Sequence, residues 1–222
     1  ILEIYNLAAQ SHVKISFDIP EYTCNTNSIG TLKLLEIIRD LDEINKNKIR
    51  FYQAGSSEMY GEVLETPQNE NTPFNPQSPY ACSKVFSHFL VNNYRDSYNI
   101  FACNGILFNH ESPRRGSNFV TNKVVKAAVE IKAGLKDKLP LGNLDAYRDW
   151  GHSKDYVRAM HMIVNHDKPD DFVCATGVTN SVGDMCNYVF NKLGMNYKDY
   201  VTIDERFFRA EELKYLRGDS TK

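Results

Sequence analysis

The sequence lacks the residue spacings that disulfide frameworks and metal sites require. Its 222 residues include five cysteines, an odd number, and no two of them form a C-x-x-C pair. The six histidines are not at metal-ligand spacing either. We therefore expect reduced, buried thiols, no bound metal and a cytoplasmic location.

Long apolar runs and clustered positive charge are also missing. The chain has no run of about 18 apolar residues, and segment 1–9 is too short and too polar in its flanks for a signal sequence. The formal net charge is −2, without a basic stripe. We expect no membrane-spanning segment and no nucleic-acid partner.

Glycine occurs at twelve positions but never as G-x-G-x-x-G or G-x-x-G-x-x-G. Such a turn lets a pyrophosphate approach a helix N-terminus in α/β folds that bind dinucleotides. These residues therefore do not supply that turn.

Apolar strands alternate with amphipathic helices along the chain. The predicted strands are 1–8, 49–54, 100–108, 139–144, 171–175 and 200–203, and the predicted helices are 24–41, 78–98, 119–135, 153–165, 181–193 and a short one after Arg209. Strands buried on both faces and separated by helices indicate a parallel sheet. We predict an α/β fold with a Rossmann-like parallel sheet flanked by helices and a smaller, mixed C-terminal region.

A change of character after Asn109 suggests two regions. Residues 1–116 are predicted to form a dinucleotide-binding domain to which later segments return, and 117–222 to form mainly a substrate-binding region. Because the glycine-rich turn is missing, we expect the N-terminal part of the first domain, roughly a third of it, to be absent from this chain.

Tyr80 and Lys84 are four residues apart, so on a helix they share a face. Ser78 can cap that helix with Pro79 at its first position, which places Tyr80 in the first turn. An ammonium about 4 Å from the phenol contributes about 4 kcal/mol at an effective dielectric constant near 20, and lowers the tyrosine pKa by up to about 3. Tyr80 is therefore predicted to act as a base.

The same spacing recurs at Tyr188 and Lys192, inside an apolar-periodic helix that ends at Gly194. We interpret that copy as a surface or packing pair. The first copy differs because strand 49–54 ends in a turn that contains Ser56 and Glu58, and active groups of open α/β sheets collect at strand carboxyl ends.

Six longer blocks of the sequence carry a resemblance to a known family. They are YNLAAQSHV (5–13), FYQAGSSEMYG (51–61), SPYACSK (78–84), ACNGILFNHESPRRG (102–116), LGNLDAYRDWGHSKDYV (141–157) and FFRAEEL (207–213). These blocks resemble the GDP-mannose 4,6-dehydratases, a family within the extended short-chain dehydrogenase/reductases, and the similarity runs essentially from end to end. Gly55 and Ser56 stand where the family often has Ser-Thr, and Ala210 replaces a usual proline.

The resemblance implies dehydration of GDP-mannose to GDP-4-keto-6-deoxy-mannose with NADP. Tyr80, helped by Lys84, would take the proton from O4 while hydride leaves C4 for NADP⁺. Glu58 would remove the C5 proton and assist loss of the C6 hydroxyl as water, Ser56 would hydrogen-bond the reacting oxygen, and hydride would return to C6.

Further roles come from the same resemblance. The implied NADP contacts are Leu7, Ala8, Ala9, Gln10, Ser11, Tyr22, Tyr80, Lys84, His110 and Arg115. The implied nucleotide-sugar contacts are Asn109, Lys123, Arg148, Arg209 and Glu212. The loop with Arg114 and Arg115 implies subunit contacts, and hence a homodimer or homotetramer.

Alternatives remain at this level. By residue type alone, Asn109 could cap a loop, Arg148 could pair with Asp149, and Arg209 could pair with Glu212 along a helix. Another NAD(P)-dependent nucleotide-sugar epimerase or dehydratase is a second hypothesis, although an epimerase needs no C5 base such as Glu58. A truncated, non-catalytic homologue is a third.

Overall fold

Residues 2–45, 48–208 and 213–222 are described by a computed structural model. In these ranges the strands are β1 (Glu3–Asn6), β2 (Arg50–Ala54), β3 (Ala102–Leu107), β4 (Asn109–Glu111), β5 (Leu139–Leu141), β6 (Tyr147–His152), β7 (Asp171–Cys174), β8 (Thr179–Ser181) and β9 (Val201–Ile203). The α-helices are α1 (Val13–Asp18), α2 (Pro20–Cys24), α3 (Gly30–Asn45), α4 (Pro79–Tyr98), α5 (Val120–Lys132), α6 (Ser153–Val164) and α7 (Val182–Lys192).

The main sheet is parallel, and its described strands lie in the order β1, β2, β3, β7. Neighbouring side chains of a strand point to opposite faces of the sheet. Both faces of the central strands β2 and β3 are buried, because helices pack on each face. Phe51 packs with Leu35 of α3 and Val91 of α4, whereas Tyr52 packs with Ile163 of α6. The predicted α/β fold with a helix-flanked parallel sheet is confirmed.

The C-terminal region has its own apolar core between α5 and α7, centred on the fully buried Phe190. In the described residues two small sheets border it. One joins β4 and β6 in parallel and β6 and β8 antiparallel, and the other pairs β5 with β9. The later elements α6 and β7 pack on or join the main sheet. The proposed division at residue 116 stays a prediction.

The structure differs from the sequence prediction in the bounds of one helix and in several short elements. Helix 24–41 is longer than predicted: α2 starts at Pro20, a π-helical turn follows at Asn25–Ile29, and α3 extends to Asn45. Helix α1 and the strands β4, β6 and β8 were not predicted, because they are too short or too polar to show a clear period.

The short helix predicted after Arg209 falls largely on residues 209–212, which lie outside the described part of the chain. Residues 213–222, which are described, contain no helix; Tyr215 and Gly218 form isolated bridges with Tyr147 and Gln68.

In the described ranges no helix is long and apolar enough to cross a bilayer. The same ranges contain no group of three or more His, Cys, Asp or Glu side chains placed to hold a metal ion.

Candidate active site

The turn after β2 presents two polar side chains at the carboxyl edge of the sheet. The Ser56 hydroxyl accepts a hydrogen bond from the Glu58 amide (3.2 Å) and caps the 3₁₀ turn Ser57–Met59. At Gly55 a Cβ would lie 2.9 Å from the Gly105 carbonyl oxygen of β3. A glycine therefore lets the turn approach the neighbouring strand and brings Ser56 and Glu58 to the sheet edge.

Helix α4 brings the phenol and the ammonium to the same edge. It begins as predicted, with Ser78 as N-cap and Pro79 in the first turn, and the Ser78 hydroxyl accepts from the Ala81 amide (3.1 Å). Tyr80 is 8% exposed and Lys84 is 4% exposed. The Lys84 ammonium donates to the Ala54 carbonyl (2.8 Å) and lies 5.9 Å from the Tyr80 ring centroid.

The expected lowering of the Tyr80 pKa is wrong for this structure. Burial raises the pKa of Tyr80 to about 12, and the nearby Glu58 carboxylate raises it as well. A hydrogen bond with Ser56 and the charge of Arg115 lower it by less. Burial also lowers the pKa of Lys84 to about 8. The desolvation of a buried charge thus outweighs the attraction that the sequence spacing suggested.

Ser56, Glu58, Tyr80 and Lys84 all line one cavity of about 580 Å³. That volume lies within the range of about 300–1,000 Å³ that is common for small-molecule sites. The catalytic candidates are therefore brought together on one side of the sheet.

The segment after β1 contributes only some of the predicted cofactor contacts. Leu7, Ala9 and Ser11 line the cavity. Gln10 does not; its side chain binds Thr23 and the His12 carbonyl. The exposed residues Ala8 and Tyr22 also lie outside the cavity lining.

His110 and Arg115 also line the cavity. The His110 ring stacks on Tyr156, with ring centroids 4.6 Å apart, and burial lowers the His110 pKa. The Arg115 guanidinium lies 3.6 Å from the Phe119 ring centroid and pairs with Glu111 (3.2 Å). Both side chains are therefore held in fixed orientations.

Three predicted substrate contacts reach the cavity, namely Asn109, Lys123 and Arg148. The Lys123 ammonium donates to the Pro140 carbonyl (2.8 Å), and burial lowers its pKa. The buried Arg148 donates from Nη1 to the carbonyls of Tyr147 and Leu213 (2.8 Å each). Arg209 and Glu212 lie outside the described residues.

The cavity also contains side chains that the sequence interpretation missed. Lys123 and Lys14 lie 3.5 Å and 5.8 Å from the centroid of the Phe207 ring. Phe207 belongs to the FFRAEEL block and could have been found there, whereas Lys14 carried no separate signal. Other lining residues that were missed are His12, Asn118, Asn143, Trp150 and Ser153.

The second Tyr-Lys pair has a different setting. Tyr188 is 65% exposed, and the Lys192 ammonium lies 5.3 Å from its ring centroid on the outside of α7. Its interpretation as a surface pair is confirmed.

Comparison with known proteins identifies the family of this chain. The family model described as GDP-mannose 4,6 dehydratase matches residues 1–222. The chain belongs to this family. The GDP-mannose 4,6 dehydratase 2 of Arabidopsis thaliana is 53% identical to it over 220 residues, covering 99% of this chain and 59% of the relative. For the human GDP-mannose 4,6 dehydratase the identity is 48% over 237 residues, covering 99% and 63%.

The chain thus spans about 60% of the length of these curated relatives. Among solved structures, RMD from Pseudomonas aeruginosa complexed with NADPH aligns with a TM-score of 0.85 at 22% identity, covering 99% of this chain and 72% of that one. The dTDP-glucose 4,6-dehydratase DesIV from Streptomyces venezuelae aligns with a TM-score of 0.84 at 22% identity, covering 99% and 65%. At these identities the likeness supports the fold alone.

Proposed function

We propose that this protein is an NADP-dependent lyase that dehydrates GDP-mannose to GDP-4-keto-6-deoxy-mannose. The observation that carries the proposal is the convergence of Ser56, Glu58, Tyr80 and Lys84 on one cavity, in a chain of the GDP-mannose 4,6 dehydratase family. The relatives that are about 50% identical over nearly the whole chain bear the name of this activity.

The cavity residues fit the nicotinamide end of a dinucleotide, whereas the glycine-rich turn that takes the pyrophosphate is not among these residues. The buried Lys84 ammonium has three N–H donors, and its bond to the Ala54 carbonyl uses one, so two remain for ligand oxygens. Leu7, Ala9, Ser11, His110 and Arg115 all line this cavity and would contact the cofactor. Bound NADP⁺ would supply a hydride acceptor for C4, a hydride for C6 and a positive charge that lowers the phenol pKa.

The chain's own side chains divide the proton transfers. Tyr80, as phenolate, accepts the O4 proton, and Ser56, which hydrogen-bonds the phenol, holds the reacting oxygen. The resulting 4-ketone acidifies C5, whose proton passes to the Glu58 carboxylate. Protonated Glu58 then donates to the departing C6 hydroxyl, which leaves as water, so Glu58 ends in its starting form. When hydride returns to C6, C5 takes up one proton, which balances the O4 proton held by Tyr80, so the phenol also returns to its starting form. Burial of Tyr80 and Lys84 keeps bulk water from these transfers.

Two variants of this protein test the assignment, assayed with GDP-mannose and NADP⁺. Glu58→Gln should still form reduced nicotinamide on oxidation at C4 but release product at least about 100-fold more slowly, because no side chain removes the C5 proton. Tyr80→Phe should show neither step. Tyr188→Phe, from the surface pair, serves as the control and should match the parent. If Glu58→Gln dehydrates at the parent rate, the acid/base assignment is wrong.

The alternative of another nucleotide-sugar epimerase or dehydratase is not favoured, because the named relatives share one activity and Glu58 faces the cavity. Assays of the protein with GDP-mannose and with a panel of UDP- and dTDP-hexoses would measure its substrate preference directly. Faster turnover of one of them than of GDP-mannose would overturn the substrate assignment.

We also propose a homodimer or homotetramer. The outer faces of α3 and α4 expose apolar side chains, among them Ile37, Phe86 and Phe89. Arg39 of α3 lies 5.1 Å from the Tyr98 ring centroid of α4, so the two faces adjoin. Burying them against a second copy would remove this apolar surface from water. Sedimentation of Phe89→Ser should show a larger monomer fraction, and an unchanged distribution would count against this interface.

A cytoplasmic location is consistent with the cysteines. All five lie in the described part of the chain, and none forms a disulfide there. Cys103, Cys174 and Cys186 are buried as expected, whereas the expectation of burial is wrong for Cys24 and Cys82, which are exposed. A reducing compartment keeps thiols in this state. Fractionation of the source cells would test the location, and recovery outside the cytoplasm would contradict it.

A further inference from the structure

The first turn of α4 has an external hydrogen-bond acceptor that the reaction scheme does not use. The first amides of a helix have no partner within it. In α4 Pro79 has no N–H, Ala81 donates to the Ser78 hydroxyl, and Cys82 donates to the Ser78 carbonyl (2.9 Å). The amide of Tyr80 is left, and it donates to the hydroxyl of Ser16 (3.1 Å).

Ser16 lies on α1, 64 residues before Tyr80 in the chain, and is fully buried. Its hydroxyl also donates to the Val13 carbonyl (2.6 Å), so the oxygen is fixed in direction as well as in place. Because α1 follows the cavity-lining segment after β1, Ser16 connects that segment to the helix of the phenol.

The Tyr80 carbonyl is held as well. It accepts from the Ser83 hydroxyl (2.7 Å), which in turn accepts from the Asn27 amide group (2.9 Å). Both polar backbone groups of Tyr80 are thus bonded to buried side chains. Such support matters because a reacting group must be held within about 0.5 Å of its working position.

We propose that Ser16 is a positioning residue for catalysis, which holds the backbone of Tyr80 so that the phenol stays aligned with Ser56 and Lys84. The inference rests on the proposed function. Without the Ser16 oxygen, the Tyr80 amide is buried with no acceptor, and the first turn can satisfy it only by shifting. A shift of about 1 Å at a reacting group can cost about 100-fold in rate.

The test compares Ser16→Ala with Ser87→Ala. Ser87 is equally buried and belongs to α4 itself, but its hydroxyl donates to the carbonyls of Asn27 and Ser83 and not to the backbone of Tyr80. Ser16→Ala should lower kcat for GDP-mannose about tenfold with KM within about twofold, since alignment and not binding is lost. It should also speed hydrogen exchange of the Tyr80 amide about tenfold, whereas Ser87→Ala should leave that amide as in the parent.

A second pair of variants covers the case in which Ser16→Ala does not fold. Ser16→Thr and Ser16→Val add the same branch, so their packing cost is shared, but only threonine keeps the acceptor oxygen. Ser16→Thr should retain at least about a third of the kcat of the parent, and Ser16→Val should fall about tenfold below it. Equal kcat values and equal Tyr80 exchange in the two variants would overturn the inference.

Failure of the inference is distinguishable from failure of the proposed function. A parent protein that is active with GDP-mannose, beside a Ser16→Ala variant with unchanged kcat and unchanged Tyr80 exchange, overturns the role of Ser16 alone. A parent without activity toward GDP-mannose overturns the proposed function and the inference together.

Discussion

Burial moves the pKa values of the two cavity-facing groups on α4 in opposite directions. The pKa of Tyr80 rises to about 12 and the pKa of Lys84 falls to about 8, and in both cases loss of solvent is the largest cause. Each shift favours the uncharged form, because a charge is costly to remove from water. A tyrosine base at this position therefore needs added positive charge before it can ionise near neutral pH.

The lowered pKa of Lys84 predicts a pH dependence of stability. Between pH 8 and the usual value of 10.5, the unfolded chain binds a proton that the folded protein does not. The free energy of unfolding of the parent should therefore rise with pH across this window, by up to about 3 kcal/mol relative to Lys84→Met, which lacks the titrating group. The cost of the buried charge is fully present below pH 8.

Urea unfolding at a series of pH values from 8 to 10 would measure this difference. Lys192→Met, at an exposed position of α7, is the matched control and should follow the parent curve. Parallel curves for the parent and Lys84→Met would show that Lys84 is not perturbed by burial.

At the scale of elements, two glycines occupy the same backbone region in different surroundings. Gly134, just after α5, has φ +70°, and a Cβ there would have no other atom within 4 Å. Gly61, in the turn after Met59, has φ +58°, and a Cβ there would lie 1.6 Å from the Asn75 carbonyl oxygen. At Gly134 a larger residue is opposed only by the left-handed backbone conformation, whereas at Gly61 its side chain would also collide with the backbone of Asn75.

Alanine substitutions separate these two restrictions. Gly134→Ala should cost about 1 kcal/mol of unfolding free energy, from the left-handed conformation alone. Gly61→Ala should cost at least about 3 kcal/mol, because the backbone at Asn75 must also move. Urea unfolding would give both losses of unfolding free energy from the shift of the midpoint, provided that the dependence on urea concentration is the same as in the parent. Equal losses in the two variants would show that the turn at Gly61 relaxes freely.

At the scale of the whole molecule, Asp149 of β6 joins three distant segments. It is fully buried, and its carboxylate accepts from the Thr176 amide and hydroxyl (2.9 and 2.6 Å) and the Gly177 amide (2.8 Å). It also accepts from the Gly218 amide (3.3 Å) near the end of the chain. The small sheet, the loop after β7 and the last segment are thus fixed to one another through one side chain.

Removal of this carboxylate should destabilise the whole fold. Asp149→Ala leaves several donors without an acceptor, so we expect a loss of at least about 3 kcal/mol. The neighbouring Trp150 is the single tryptophan of the sequence, and its fluorescence reports on unfolding at this place. Asp145→Ala, at an exposed site, should change stability by less than about 0.5 kcal/mol. A small loss for Asp149→Ala would contradict this view of the tertiary contacts.

The sequence alone determined the local features of this protein. The apolar runs predicted the strands of the main sheet, and the start of α4 followed from Ser78 and Pro79, since helix periods and caps depend on neighbouring residues. The short polar strands β4 and β8 were not predicted, because three residues are too few to show a period. The sequence blocks shared with the family also pointed to Glu58, Tyr80 and Arg148 as site residues, and all three line the cavity.

Only the tertiary structure decided what surrounds those residues. The Tyr80 pKa depends on burial by distant segments, and its amide partner, Ser16, lies 64 residues away. The Leu213 carbonyl that accepts from Arg148, and the donors that converge on Asp149, also come from remote parts of the chain. Spacing along a chain records which residues share a face, whereas desolvation and long-range hydrogen bonds arise only when separate faces pack together.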